Sequence, residues 1–257
     1  MQEISHLQRS EIHLWFADLN SLDRSAMSNE VAHWLHEEEK NRYNRYQSQN
    51  QREHFLFGRV LLKAILSKYI GCAPVDLKFD IDTRGKPFLS LNNTLPVTFN
   101  LSHTDNRIVF AVSKNQDLGV DLEIIKKERE ILKIAERYFS PAETRELRNL
   151  PKASQVKRFY ELWTLKESVL KACGHGLSRG LSKIEFSFPT SNKLVMHSAP
   201  GNGNLTHWQS WQIEEYKNCM LAVSVKSLDI KVDNIKSFDF ISFDETGVKE
   251  TSIVRSS

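Results

Sequence analysis

Two ten-residue stretches of this chain parallel each other. Leu62-Lys63-Ala64-Ile65-Leu66-Ser67-Lys68-Tyr69-Ile70-Gly71 matches Leu165-Lys166-Glu167-Ser168-Val169-Leu170-Lys171-Ala172-Cys173-Gly174 in its apolar positions, its lysines and its closing glycine. A strand-like segment follows each stretch, Leu77-Lys78-Phe79 and Ile184-Glu185-Phe186, and each half later carries Ala-Val-Ser, at 111–113 and 222–224. Two amphipathic helices often agree by chance. Three matches in one order, at similar spacing, also fit two related α+β halves meeting near residue 117. The corresponding division is 1–117, 118–230 and a polar segment, 231–257, without clear periodicity, read as a partly disordered tail.

The chain has 257 residues, enough for one large or two small cored domains. Hydrophobic residues make up 40% and charged residues 26%, a soluble globular profile. A net charge of +3 gives no general pull toward nucleic acid. The three cysteines, Cys72, Cys173 and Cys219, are widely spaced and form no C-x-x-C, which argues against a disulfide framework or a zinc site. The N-terminus lacks a basic start followed by a long apolar run, and no run of about 18 apolar residues exists. A cytoplasmic protein without a membrane span is expected.

Strands are expected at 10–18, 77–81, 97–102, 107–113 and 119–125, with later ones in Lys183–Phe188 and Asn218–Val225. Residues 28–48 are polar and helical in pattern, and a stronger helix over 50–70 ends at Gly71. Further helices cover 129–138, the segment opened by the Ser140-Pro141 cap, and 152–173 before Gly174.

The first group able to do chemistry is Gly119-Val120-Asp121-Leu122-Glu123-Ile124. Strand alternation puts Val120, Leu122 and Ile124 on one face, and Asp121 and Glu123 on the other with Cα atoms about 6.6 Å apart. Two carboxylates that close call for a cation, and a hard divalent ion suits them; a solvated polar strand face explains them equally well. The second group lies on the long helix, where Phe159, Leu162, Trp163, Val169, Leu170 and Cys173 form a stripe that includes Lys166. A lysine there must reach out or meet an anion. Glu167 and Lys171, one turn apart, also fit an ordinary surface pair. The residue matching Glu167 in the first stretch is Ala64, so the acid occurs once. A third, basic group comprises Arg52 and His54 at the start of the first long helix, Lys86 in a Gly-Lys-Pro turn, and Ser102 and His103 after a strand. Phosphates need such donors.

Taken together, these motifs resemble the 4′-phosphopantetheinyl transferases of the broad-specificity, two-half class. Gly119-Val120-Asp121-Leu122-Glu123 matches the family's G-[IV]-D-[ILV]-E strand, and Trp163-Thr164-Leu165-Lys166-Glu167-Ser168-Val169-Leu170-Lys171 its W-x-x-K-E-[AS]-x-x-K helix. Asn100-Leu101-Ser102-His103-Thr104, the Gly85-Lys86-Pro87 turn and Phe139-Ser140-Pro141-Ala142-Glu143 match its looser signatures. The resemblance spans residues 35–225.

It implies an α+β fold of two similar, pseudo-two-fold-related halves with the active site at their interface. It also implies transfer of 4′-phosphopantetheine from coenzyme A to a serine of an apo carrier protein, releasing adenosine 3′,5′-bisphosphate. By matching position, Asp121, Glu123 and Glu167 would hold Mg²⁺ on the coenzyme A pyrophosphate. Glu167 and Lys171 would act in catalysis, and Lys166 and Lys171 would neutralise phosphate charge. Lys86, Ser102, His103 and, least uniquely aligned, Arg52 would bind the nucleotide end. An acidic carrier and a monomeric enzyme are expected. Two other readings are a metal-dependent nuclease, disfavoured by Ile125 where a lysine is needed, and a non-catalytic coenzyme A or carrier-binding module, disfavoured by the presence of all three acids.

Overall fold

The two parallel stretches form the C-terminal halves of the two long helices. The structure, a computed structural model, describes residues 7–23, 33–90, 97–114, 117–127, 129–174, 180–199, 204–214, 216, 218–243 and 246–257. β1 (Glu11–Asp18) is followed by α1 (Glu37–Arg45) and α2 (Gln49–Ile70). Next come the hairpin of β2 (Phe79–Ile81) and β3 (Pro87–Leu89), then β4 (Val97–Thr104) and β5 (Arg107–Lys114). β6 (Asp117–Ile124), α3 (Ile131–Tyr138), α4 (Pro141–Asn149) and α5 (Lys152–Ala172) open the second half. β7 (Glu185–Thr190), β8 (Lys193–Ser198), β9 (Trp208–Ile213) and β10 (Cys219–Lys226) follow. β11 (Asn234–Phe240), β12 (Thr246–Lys249) and β13 (Ile253–Ser256) end the chain. Of the helical segment expected over 28–48, residues 28–32 lie outside the described residues.

One sheet has the order β12-β11-β1-β5-β4 and the other β6-β10-β9-β13-β8-β7. Their inner faces share one apolar layer, with Ile12, Leu14, Phe16, Val109 and Ala111 from the first sheet and Val120, Leu122, Leu221 and Val223 from the second. The outer faces pack on helices. Trp15, Phe110 and Val112 join α2 in one core, while Met220 and Ala222 join α5 in another. Alternate side chains of each strand thus serve different layers. The architecture is α+β, two similar halves set sheet to sheet with a long helix outside each.

The repeat holds in unexpected detail. Gly71 and Gly174 end their helices in the left-handed region, at φ 76° and 71°. Lys63 and Lys166 are both fully buried, and each meets a glutamate of the shorter helix before it. Lys63 Nζ lies 2.9 Å from Glu39 Oε2 and donates to the Trp34 carbonyl at 2.6 Å. Lys166 donates to Glu143 Oε2 and to the Ile184 carbonyl. Glu39 and Glu143 each close a capping box, accepting the N–H of His36 at 3.0 Å and of Ser140 at 2.8 Å. Desolvation pulls both lysines below the ordinary ammonium range, and their glutamates work against that shift. The Ala-Val-Ser match does not hold. Ala111 faces the layer between the sheets and Ala222 faces α5, so the two are one residue out of phase.

The segment expected to be a partly disordered tail is folded. β11 runs parallel to β1 inside the first sheet, and β13 lies between β9 and β8 in the second. Its stability comes from partners distant in sequence, which a short polar segment does not reveal by its own pattern. Glu11, for example, holds Lys236 at 2.9 Å and accepts from Asn234 at 3.2 Å.

Candidate active site at the seam between the sheets

β4 is an edge strand of the first sheet and β6 of the second, and the seam between them carries the site. Such edges leave backbone groups needing partners. Here side chains supply them. Asn100 Oδ1 accepts from the Val120 N–H at 2.9 Å, Ser102 Oγ from Leu122 at 3.2 Å, and Thr104 Oγ1 from Ile124 at 3.4 Å. Alternate residues of β4 therefore imitate a strand partner for β6, which explains the N-x-S-x-T spacing.

The other edge of β6 pairs with β10, and its outer face is covered by α5. A Cβ on Gly119 would stand 1.9 Å from the Ser168 carbonyl oxygen and 2.4 Å from the Ala172 nitrogen, so the helix backbone can approach only a glycine. This approach turns the acidic face of β6 into an enclosed one. Asp121 is 5% exposed and Glu167 is 2% exposed, which rules out the solvated-face explanation for Asp121.

Lys171 crosses the interface. Its Nζ lies 2.7 Å from Asp121 Oδ1 and donates to Ser102 Oγ at 2.9 Å and to the Val120 carbonyl at 3.0 Å. Ser102 also donates to Asp121 Oδ1 at 3.2 Å. Asp121 Oδ2 and Glu167 Oε1 are buried without hydrogen-bond partners. Burial, then the neighbouring Asp121, pushes Glu167 up to about 8, with Lys171 pulling down and Glu123 adding to the rise. Glu123, half-buried, is raised by burial and by Asp121, against Arg129, Lys171 and a hydrogen bond from Trp163. Three carboxylates thus feel one another with too little positive charge between them.

The donor set fits a hard divalent cation at an open site. Among the described residues no three His, Cys, Asp or Glu side chains close around an ion by themselves. The ammonium on Asp121 accounts for part of that, and the two orphaned oxygens are hard donors still wanting a cation. A small divalent ion takes one or two carboxylates and completes its shell with phosphate and water, so an unclosed protein set is what such an ion uses.

Beside the seam lies a cavity of 480 Å³ lined by residues including Arg42, His54, Arg59, Gly85, Pro87 and His103. The rings of His54 and His103 are 5.6 Å apart. His103, at the exposed rim, is held below the usual imidazole range by desolvation of its inner edge, then by His54 and Lys171.

The structure therefore gathers Asp121, Glu123, Glu167, Lys171, Ser102 and His103, and places three expected ligands elsewhere. Lys166 is sealed against Glu143 and Ile184 and cannot reach a phosphate, because the anion it needed is internal. Arg52 donates from Nε to the Tyr46 carbonyl at 2.8 Å and closes the corner between α1 and α2; the residue of α2 that faces His103 is His54. Lys86 donates to the carbonyls of Leu118 at 3.0 Å and Ala172 at 3.1 Å, binding the start of β6 to the end of α5. Sequence reasoning missed Arg42 and Arg59 at the cavity and Glu143 as the anion behind Lys166. The capping-box spacing from Ser140 to Glu143 was the available signal.

Comparison with known proteins shows the family. Residues 117–224 match the family described as the 4′-phosphopantetheinyl transferase superfamily, and residues 24–115 match its N-terminal 4′-phosphopantetheinyl transferase family. The chain is 33% identical over 220 residues to the 4′-phosphopantetheinyl transferase HetI of Nostoc sp. (strain PCC 7120), covering 85% of this chain and 89% of that protein. It is 28% identical over 229 residues to the 4′-phosphopantetheinyl transferase gsp of Aneurinibacillus migulanus, covering 88% and 93%. The chain belongs to the 4′-phosphopantetheinyl transferase superfamily, a family of enzymes. Among the described residues no helix is long and apolar enough to cross a membrane.

Proposed function

We propose that this enzyme moves 4′-phosphopantetheine from coenzyme A to a serine of an apo carrier protein, with Mg²⁺ bound at the seam. The observation that carries the reading is the Lys171–Asp121 contact of 2.7 Å beside two unpartnered buried carboxylate oxygens, packed on β4, whose His103 lines a cavity with His54 and two arginines. The cavity suits the nucleotide end of coenzyme A, whose phosphates need His54, His103 and the neighbouring arginines.

Asp121, Glu123 and Glu167 would hold the cation, which when bound polarises a pyrophosphate and offsets its charge. The chain's own residues supply the rest. Lys171 stands at the junction of β4, β6 and α5 and neutralises charge on the phosphate being released. Glu167 takes the proton of the carrier serine, directly or through water. The serine oxygen bonds to the phosphorus bearing pantetheine. The bond from that phosphorus to the bridging oxygen breaks, and its electron pair leaves on adenosine 3′,5′-bisphosphate. Holding the serine and the pyrophosphate in line contributes much of the acceleration. We read the enzyme as a cytoplasmic monomer acting on an acidic carrier.

The test is to incubate the protein with coenzyme A, Mg²⁺ and several apo carrier proteins and weigh each carrier. A mass gain of one phosphopantetheine supports transfer. No gain on any carrier contradicts it.

A further inference from the structure

The Asp82–Pro87 turn touches both the cavity and the end of the catalytic helix. Asp82 Oδ1 accepts from the N–H groups of Arg84 at 2.9 Å and Lys86 at 2.8 Å, and Gly85 sits at φ 91°. This fixes a tight turn with two cations on one side. On that side Arg84 Nη1 donates to the Cys173 carbonyl at 2.7 Å, and Lys86 Nζ donates to the carbonyls of Ala172 and Leu118. On the other side Gly85 and Pro87 line the cavity with His54 and His103.

Cys173 follows the last residue of α5, where backbone carbonyls lack helical partners and the helix dipole favours a cation. The turn belongs to the first half and α5 to the second. A Cβ on Gly174 would come within 3.4 Å of Asp82 Oδ2 and 3.5 Å of Arg84 Cδ, so the two pieces are closely fitted. Lys171 lies two residues before Cys173, and Leu118 lies three before Asp121. One turn therefore holds both elements of the Lys171–Asp121 contact, the end of α5 and the start of β6.

We propose that Arg84 is a positioning residue: through the Cys173 carbonyl it fixes the last turn of α5, and with it Lys171, and so couples filling of the cavity to the geometry of the site. Coupling to coenzyme A rests on the function proposed above; fixing of the helix end does not.

The experiment compares the full chain with Arg84→Met and Arg84→Lys by steady-state kinetics, thermal unfolding and hydrogen exchange of the Cys173 and Gly174 amides. Arg84→Met should lower kcat about tenfold, the scale of one charge-assisted hydrogen bond, with KM for coenzyme A changed less than about twofold. Its Cys173 and Gly174 amides should exchange about tenfold faster without ligand. Coenzyme A should slow that exchange in the native chain and not in Arg84→Met. Arg84→Lys should recover part of each effect. A raised KM with unchanged kcat would make Arg84 a substrate ligand and overturn the proposal. So would unchanged exchange at Cys173 and Gly174, or a kcat loss matched only by a fall in Tm. If coenzyme A protects nothing around His54 and His103 in the native chain, the reading of the cavity fails, while the ligand-free exchange comparison still judges Arg84.

Discussion

The Lys171 ammonium lies 2.7 Å from Asp121 Oδ1 and ties α5 to β6 beside the seam. The pair is held from a third element, because Ser102 of β4 contacts both partners. Removing the cation without removing bulk isolates its role. Lys171→Met should lower kcat by at least about 100-fold, the scale for losing one preorganised donor to developing charge, and should also lower Tm, because Asp121 is left buried without its ammonium. Steady-state kinetics beside thermal unfolding would check this; a variant within about threefold of the native rate would remove Lys171 from the chemistry.

Lys166 is expected to matter for folding. Leaving Glu143 buried without its cation should cost about 3–5 kcal/mol, so Lys166→Met should unfold at markedly lower urea. Replacing both partners, Lys166→Met with Glu143→Leu, should recover part of that loss, since neither charge is then stranded, although the hydrogen bonds from the Ser140 and Phe186 N–H groups are forfeited. If the double variant is no more stable than Lys166→Met, the pair is not the reason for its burial. Lys63→Met should cost less than Lys166→Met, because Glu39 is less buried than Glu143 and keeps Arg59 at 3.1 Å.

These two lysines show how much was legible. The repeat, the carboxylate pair on one strand and the single acid at Glu167 are visible in sequence, since periodicity and motif spacing are local. What Lys166 meets was not, because Glu143 is 23 residues away and reaches it only once α4 packs on α5. The stripe leaves Lys166 either to reach out or to meet an anion, and it meets an internal one. The strands of 234–256 were hidden for the same reason. The partners of β11 and β13, β1 and β9, are remote in the chain, and the short apolar alternation of β11, with Phe238 and Phe240 on one face, is local and brief.

Gly119 should tolerate no side chain. Gly119→Ala places a Cβ where the Ser168 carbonyl lies, so α5 must retreat from β6 and Lys171 from Asp121. The expectation is a loss of transfer larger than the loss of stability, seen as lowered kcat in protein that remains folded by circular dichroism. Native turnover would show that the helix approach is not needed.

His13 should make stability depend on mild acid. The ring is fully buried, and its Nδ1 is 2.8 Å from the Tyr69 hydroxyl, which also accepts from Trp15 at 2.7 Å. Burial, partly offset by Glu11, lowers His13 to about 4 from the ordinary imidazole value of 6.5. The unfolded chain takes up the proton below 6.5, while the folded chain refuses it until about 4. This contribution is therefore complete above pH 6.5 and lost as pH falls toward 4, up to about 3 kcal/mol. Urea unfolding at pH 7 and pH 4.5 should show the loss in the native chain and a smaller loss in His13→Phe. Equal pH dependence in the two would contradict it.

The central claim is that Asp121 and Glu167, with Glu123, hold a divalent cation on which transfer depends. The most direct measurement is the transfer rate to an apo carrier as Mg²⁺ is titrated from zero, for the native chain, Asp121→Ala and Glu167→Ala. The account predicts no transfer by the native chain without the cation, a saturable rise with it, and at least about 100-fold lower rates for both variants at every concentration. Near-native turnover by Asp121→Ala, or native transfer indifferent to Mg²⁺ after chelation, would contradict it.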